Sequence, residues 1–349
     1  MIMIELSIQL LLYIIAILLG FCGVAMIYLI YQKRNEEKKN HEMEKYIQNT
    51  KILWQGYFLG DDQFAVTLIP KNKYQILAVE HIFLSYLRNI SNPIIQQKIY
   101  TFTQMYLKEY YQNELKSRNW SRKMNAMYRI ADFHIQELIG TCEVSIKHKH
   151  SIEVFQLLKI YSILEKEKFI QEILLCNYSF SESEYKKLFS YLEVEMLQRL
   201  MEKIENLQQA AQYALIDTIA AKGSMAVIEG LEELLVSEDT EIRIRTLRGL
   251  ERLGVIRNLE TYIPFVNSSI WEEKLMVAKL FKYVPLTYTA EHLEKLLQDS
   301  NWWVRSQAAN TIIEDPRGYQ RLKEFIATTN DQYAIDMANE VLGKRMRAV

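Results

Sequence analysis

The chain opens with an apolar block, passes through a short charged stretch, and then settles into a long alternation of apolar stripes and polar turns. From Leu10 to Tyr31 no residue carries a charge (LLLYIIAILLGFCGVAMIYLIY). At about 1.5 Å of rise per residue, a helix of that length crosses a hydrocarbon layer roughly 30 Å thick. Uniform apolarity over this length is foreign to the one-sided helices of soluble domains. Asn35 to Lys51 (NEEKKNHEMEKYIQNTK) is highly charged and free of helix breakers, which predicts a solvated helical stalk. Gly56, Gly60, Asp61, Asp62 and Pro70 then cluster, marking a loop and the start of the globular part.

Further along, the pattern repeats. Arg243, Lys274 and Arg305 are separated by 31 residues each, and Ser237, Ser268 and Asp299 keep the same step at the preceding turn. Gly223 precedes Gly254 by the same interval. Each unit reads as two helices, the second of each pair being MAVIEGLEELL, NLETYIPFV, AEHLEKLL or YQRLKEFI. Leu231, Leu234 and Leu235, or Leu293, Leu296 and Leu297, fall on one helical stripe. A lone helix pair cannot bury such a stripe, whereas stacked pairs share one elongated core. A closing unit is expected over about 332–343.

These residues carry a family resemblance. Leu296, Leu297, Asp299, Val304, Arg305, Ala308 and Ala309 resemble the bacterial HEAT repeat, in the short form first noted in phycobilin (PBS) lyases. Ser237 and Ser268 replace the aspartate in other units, and Glu273 replaces the aliphatic residue before the basic one. The likeness covers about 205–345 and fades upstream, where NWSRKMNAMYRI echoes NWWVRSQAANTI. Together with the apolar run at the N-terminus, it implies an all-α chain: a single transmembrane helix followed by an α-α superhelix, or HEAT-type solenoid. The expected organisation is a short extracytoplasmic segment 1–9, a span 10–31, a stalk 32–52, degenerate HEAT-like helices 53–200 and HEAT repeats 201–349. In such repeats the basic residues pair with turn aspartates and stitch the stack; Ser237, Ser268 and Asp299 are expected to cap helices.

Composition agrees with helices: 11 Gly and 5 Pro are too few for a turn-rich β fold. The 42 Lys and Arg nearly cancel the 43 Asp and Glu, and no basic stripe argues for nucleic acid. Three widely spaced cysteines, Cys22, Cys142 and Cys176, suit a reducing compartment. Lys33, Arg34, Lys38 and Lys39 follow the apolar run while no Lys or Arg precedes it, so the positive-inside rule puts the N-terminus outside and the rest in the cytoplasm. A cleaved leader would need a basic start and a shorter core, and Phe21 occupies the place of the small residue a lipoprotein site requires before Cys22. The localisation expected is a single-pass cell-membrane protein. Ala16 and Gly20 form a small-xxx-small pair that would allow a homodimer.

Candidate chemistry is sparse. No Walker loop, Rossmann glycine pattern, GxSxG or HExxH occurs. His148 and His150 lack further ligands at metal spacing. No catalytic, cofactor or metal residue is nominated, and a non-enzymatic protein is expected. Glu229, Glu232, Glu233, Glu291 and Glu294 lie on second helices, away from the leucine stripes, and would form an acidic groove for a basic partner segment. Trp302 and Trp303 are adjacent, so one is expected to pack and the other to anchor a partner. The reading is a membrane-anchored scaffold or adaptor for other proteins. Alternatives are a regulatory subunit of a membrane complex, as in envelope or polysaccharide synthesis, or an enzyme resembling the phycobilin lyases.

Overall fold

The computed structural model describes residues 8–60, 64–146, 151–175 and 178–348; most of the expected 1–9 segment, with His148, His150 and Cys176, lies outside them. Among the described residues every regular element is helical. The chain divides into two compact units, Met1–Lys147 and His148–Val349. The boundary read at 200 falls within the second of these.

In the first unit, α1 (Ile8–Leu59) is one continuous helix of 52 residues. Its apolar part is exposed throughout from Leu12 to Tyr31 and is long and apolar enough to cross a membrane. The stalk expected over 32–52 does not stay solvated. Tyr46, Thr50, Trp54 and Phe58, each four residues apart, are buried on one face. The loop expected after Leu53 is therefore helix as far as Leu59. Its buried stripe outweighs the helix-weakening effect of Gly56. The chain then turns back. Tyr46 donates its hydroxyl to the Leu68 carbonyl at 2.6 Å. α2 (Lys73–Asn89) begins beside residues 32–39 and runs in the direction of α1, bringing Phe83 onto Trp54 (ring centroids 5.0 Å) and Tyr86 onto Phe58 (4.4 Å).

α3 (Pro93–Tyr106) adds Phe102 against Trp54 at 5.1 Å, completing an aromatic core. Lys98 donates to the Tyr57 carbonyl at 2.9 Å, satisfying an end carbonyl of α1 where a cation is favoured. α4 (Lys108–Leu115), α5 (Trp120–Asp132) and α6 (Ile139–Ser145) follow. Tyr111 of α4 and Arg129 of α5 close on the buried Glu80 of α2, which accepts from Tyr111 at 2.8 Å and from Arg129 at 3.2 Å.

The second unit starts with α7 (Ser151–Leu164) and α8 (Lys166–Leu175), then α9 (Glu182–Phe189) and α10 (Val194–Met201). From there the helices come in pairs. The first members are α11 (Gln209–Lys222), α13 (Thr240–Leu253), α14 (Trp271–Leu280) and α16 (Trp302–Glu314). Each packs on the next, with α9 before them and α18 (Gln332–Ala348) after. Their N-cap residues are Gln208, Asp239, Ile270 and Asn301, all 31 apart.

Burial repeats with the same step. Leu215, Thr246, Val277 and Ala308 are all 0% exposed, as are Ile216, Leu247, Ala278 and Ala309. Gly223 and Gly254 close α11 and α13 at φ of 70° and 72°, the left-handed conformation that glycine adopts without strain.

The second members are less uniform. α12 (Ile228–Glu233) is flanked by 3-10 turns at Met225–Val227 and Leu234–Val236. The expected helix in NLETYIPFV is replaced by 3-10 segments Leu259–Thr261 and Ile263–Asn267, since Pro264 removes a donor that an α-helix would need. α15 (Leu286–Leu297) and α17 (Gly318–Thr328) are regular.

Candidate partner-binding surface

The basic residues of the 31-residue step hold neighbouring elements together. Arg243 donates to Glu273 on the next first helix at 2.7 Å, and to the carbonyls of Ser237 (2.7 Å) and Glu238 (3.0 Å). Lys274 pairs with Asp299 of the following turn. Arg305 donates to the Asp299 and Ser300 carbonyls at 2.8 and 3.0 Å. Glu273 sits in the slot that Ile242 and Val304 fill in adjacent units, and is only 2% exposed. A buried carboxylate there requires Arg243 beside it. Arg245 adds a second tie: it bonds Glu182 on α9 (2.7 Å), Asp217 on α11 (2.6 Å) and Glu241 (2.6 Å).

Ser237, Ser268 and Asp299 are not the helix caps expected. Each stands two residues before the cap and accepts from that residue's N–H, at 3.2, 2.9 and 2.8 Å respectively. The capping side chains are Asp239 and Asn301. Asp239 also accepts from Tyr213 at 2.9 Å and Gln209 at 3.2 Å on α11. Partial burial pushes its carboxyl pKa up, but these hydrogen bonds with the backbone N–H groups prevail and hold it below the usual range.

The five glutamates fall into two groups. Glu229, Glu232 and Glu233 line one open cleft of about 460 Å³ with Arg257, Asn258 and Thr261. Glu229 lies 3.4 Å from Arg257, and Glu232 accepts the buried Tyr262 hydroxyl at 2.8 Å. Burial, and then Glu232, push the Tyr262 pKa well up. Glu291 and Glu294 line a cleft of about 610 Å³ between Ile263–Asn267 and α15, together with Lys274 and Lys295. Glu294 is held bidentately by Arg321, one contact being 3.1 Å. Cations are thus interleaved with the glutamates in both places.

Trp302 and Trp303 are both exposed, 48% and 60%, with their rings edge-to-face at 4.8 Å. The expectation that one would pack fails because the buried face of α16 begins only at Val304. Trp271 (38% exposed) and Tyr333 (73%) occupy the same first-turn place one step before and after Trp302. Arg305 places its guanidinium 5.5 Å from the Tyr333 ring centre, linking α16 to α18. Sequence reasoning missed Trp271 and Tyr333, although the interval 271–302–333 announces them. Aromatic side chains with one apolar face and one polar edge are favoured interface anchors.

Cys142 is buried, and burial, with Glu143 nearby, pushes its thiol up to about 12, so it stays protonated and unreactive at neutral pH. Among the described residues no three His, Cys, Asp or Glu side chains are grouped to hold a metal ion.

No protein-family profile matches the chain, and no curated protein does. Solved structures similar to it include an engineered protein, at 16% identity over 82% of each chain with a TM-score of 0.33. Another is human deoxyhypusine hydroxylase in complex with glycerol, at 10% identity over 71% of this chain and 98% of that one, with a TM-score of 0.29.

Proposed function

We propose that the chain is a membrane-anchored scaffold, held by residues 10–31 and presenting a short HEAT-type solenoid to protein partners in the cytoplasm. Supporting the anchor is the uncovered apolar part of α1, followed directly by Lys33, Arg34, Lys38 and Lys39. Supporting the solenoid is the row of first helices with caps 31 residues apart, in which each helix packs on its neighbour. The observation that carries the binding role is the aromatic edge formed by Trp271, Trp302, Trp303 and Tyr333, four large rings that each keep between 38% and 73% of their surface exposed. Tethering raises the local concentration of this edge near membrane partners, so a modest contact suffices.

Replacing Trp303 with a photo-cross-linking aromatic residue in intact cells tests the reading. A discrete protein adduct is expected, lost on Trp302→Ala and absent when the probe sits at Trp120, a comparably exposed ring of the first unit. Absence of an adduct at position 303, or equal labelling from position 120, contradicts it.

A further inference from the structure

The end of the first unit beside the apolar run is basic for two reasons that lie far apart in the sequence. Lys33, Arg34, Lys38 and Lys39 follow the run on α1. The chain then completes α1, turns back and starts α2 next to them. Gln32, Asn35, Glu36 and Lys39 share one cleft of about 370 Å³ with Lys73, Tyr74 and Leu77. Lys71 and Lys73 are exposed, and the Lys73 ammonium lies 4.9 Å from the Tyr74 ring centre. Asn72 fixes this turn by accepting from the N–H groups of Tyr74 and Gln75, both at 3.0 Å, and the Lys71 N–H donates to Gln75 at 2.7 Å.

The opposing charges are few. Glu36 and Glu37 are the carboxylates within 32–39, with Glu37 lying 4.0 Å from Lys33. Glu42 and Glu44 come a turn later, beside His41 and Lys45. From Tyr31 to Lys39 the helix rises only about 12 Å. That is close to the screening length of roughly 8–10 Å at physiological salt, so Lys39 and its neighbour Lys73 lie within the field of a charged bilayer surface. Lysine stems reach towards such a surface while keeping the ammonium wet, and a tyrosine ring suits the interfacial layer.

We propose that this end of the first unit seats anionic phospholipid head groups, with Lys39, Lys71 and Lys73 meeting the phosphates and Tyr74 resting at the interface. The proposal depends on α1 spanning a bilayer. Lys73, with the exposed Lys71 two residues before it, gives it content beyond ordinary flanking charge, because the fold rather than the sequence order brings Lys73 beside Lys39. The first unit is then held to the membrane at two points, through the span and through the start of α2.

The test uses the full chain in nanodiscs, comparing pure phosphatidylcholine with a phosphatidylcholine–phosphatidylglycerol mixture, read by hydrogen exchange at the first amides of α2. Exchange is expected to slow about threefold in the anionic discs, and Lys71→Gln/Lys73→Gln is expected to abolish that difference while leaving exchange in α13 and α16 unchanged. Equal exchange in both discs overturns the proposal, as does a lipid effect that survives the double substitution. If inorganic phosphate slows exchange equally in phosphatidylcholine discs, the site is for free anions and the lipid assignment fails. A chain that will not enter discs at all overturns the anchored reading, and this proposal with it; entry without protection overturns this proposal alone.

Discussion

Glu80 and Glu182 show how one residue type acquires opposite pH behaviour in the two units. Burial pushes the Glu80 pKa up, against the pull of Arg129 and Tyr111. Its folded value thus exceeds the unfolded one, so its contribution is fully present below the unfolded pKa and is lost as pH rises through the folded value. Pairing with Arg129 alone would have given the opposite sign. For Glu182, desolvation also raises the pKa, but Lys186 and Arg245 overcome it and the net shift is downward. Its contribution is present above the unfolded value and is lost as pH falls through the folded one. Glu80→Gln is therefore expected to gain stability relative to the parent chain as pH rises from about 4 to 7, measured by urea unfolding at several pH values. A pH-independent difference would show that the carboxylate is not desolvated.

The buried partner at Arg243 leads to a second expectation. Arg243→Ala leaves Glu273 with only the Ser268 hydroxyl and should cost about 3 kcal/mol. Arg305→Ala removes contacts to main-chain carbonyls and a ring, and should cost only about 1 kcal/mol. Equal losses in denaturant unfolding would contradict that ranking. The pairing of Arg243, Lys274 and Arg305 with turn aspartates, which the family resemblance implied, holds for Lys274 with Asp299, whereas Arg243 bonds Glu273 and Arg305 bonds main-chain carbonyls. The burial of Glu273 was not readable in the sequence, because a charged residue in an aliphatic slot gives no sign of the partner that neutralises it.

At the scale of elements, α1 joins two environments in one helix. Its charged middle, Lys33 to Lys45, hides the stripe that follows, and Gly56 and Gly60 make that stripe look like a loop. Only the arrival of Phe83 and Phe102 from elements distant in sequence turns Trp54 into core. Trp54→Ala should accordingly cost about 3–5 kcal/mol, seen as a lowered unfolding midpoint; a loss below about 1 kcal/mol would mean that the site is not packed as described. The ends of helices carry a similar lesson. Gly254 was legible as a repeat landmark, and its φ of 72° with Tyr283 only 3.1 Å from an added Cβ explains why glycine stands there. Gly254→Ala is expected to cost about 1–2 kcal/mol, whereas the same change at Gly343, with open space around it, should not destabilise.

For the whole molecule, the interval of 31 residues is the feature most plainly written in the sequence, and it reappears in caps, buried positions and exposed rings alike. It fades above Gln208 because α9 starts from a cap at Ser181, 27 residues earlier, so the register slips although α9 still packs on α11. That slip explains why 200 looked like a boundary while the compact units divide after Lys147. The candidate surface was half legible: Trp302 and Trp303 stood out as a pair, but that both are exposed depends on where the buried face of α16 begins. The interleaving of Arg257, Lys295 and Arg321 with the glutamates depends on how neighbouring elements are brought together.

Alkaline extraction of membranes from cells making either the full chain or a version lacking residues 1–31 tests the central claim most directly. The shorter chain retains Tyr46, Thr50, Trp54 and Phe58, so its first unit keeps its core. The full chain should remain in the membrane pellet, and the shorter one should appear in the supernatant as a folded helical protein by circular dichroism. Release of the full chain into the supernatant with its apolar run intact would contradict the account.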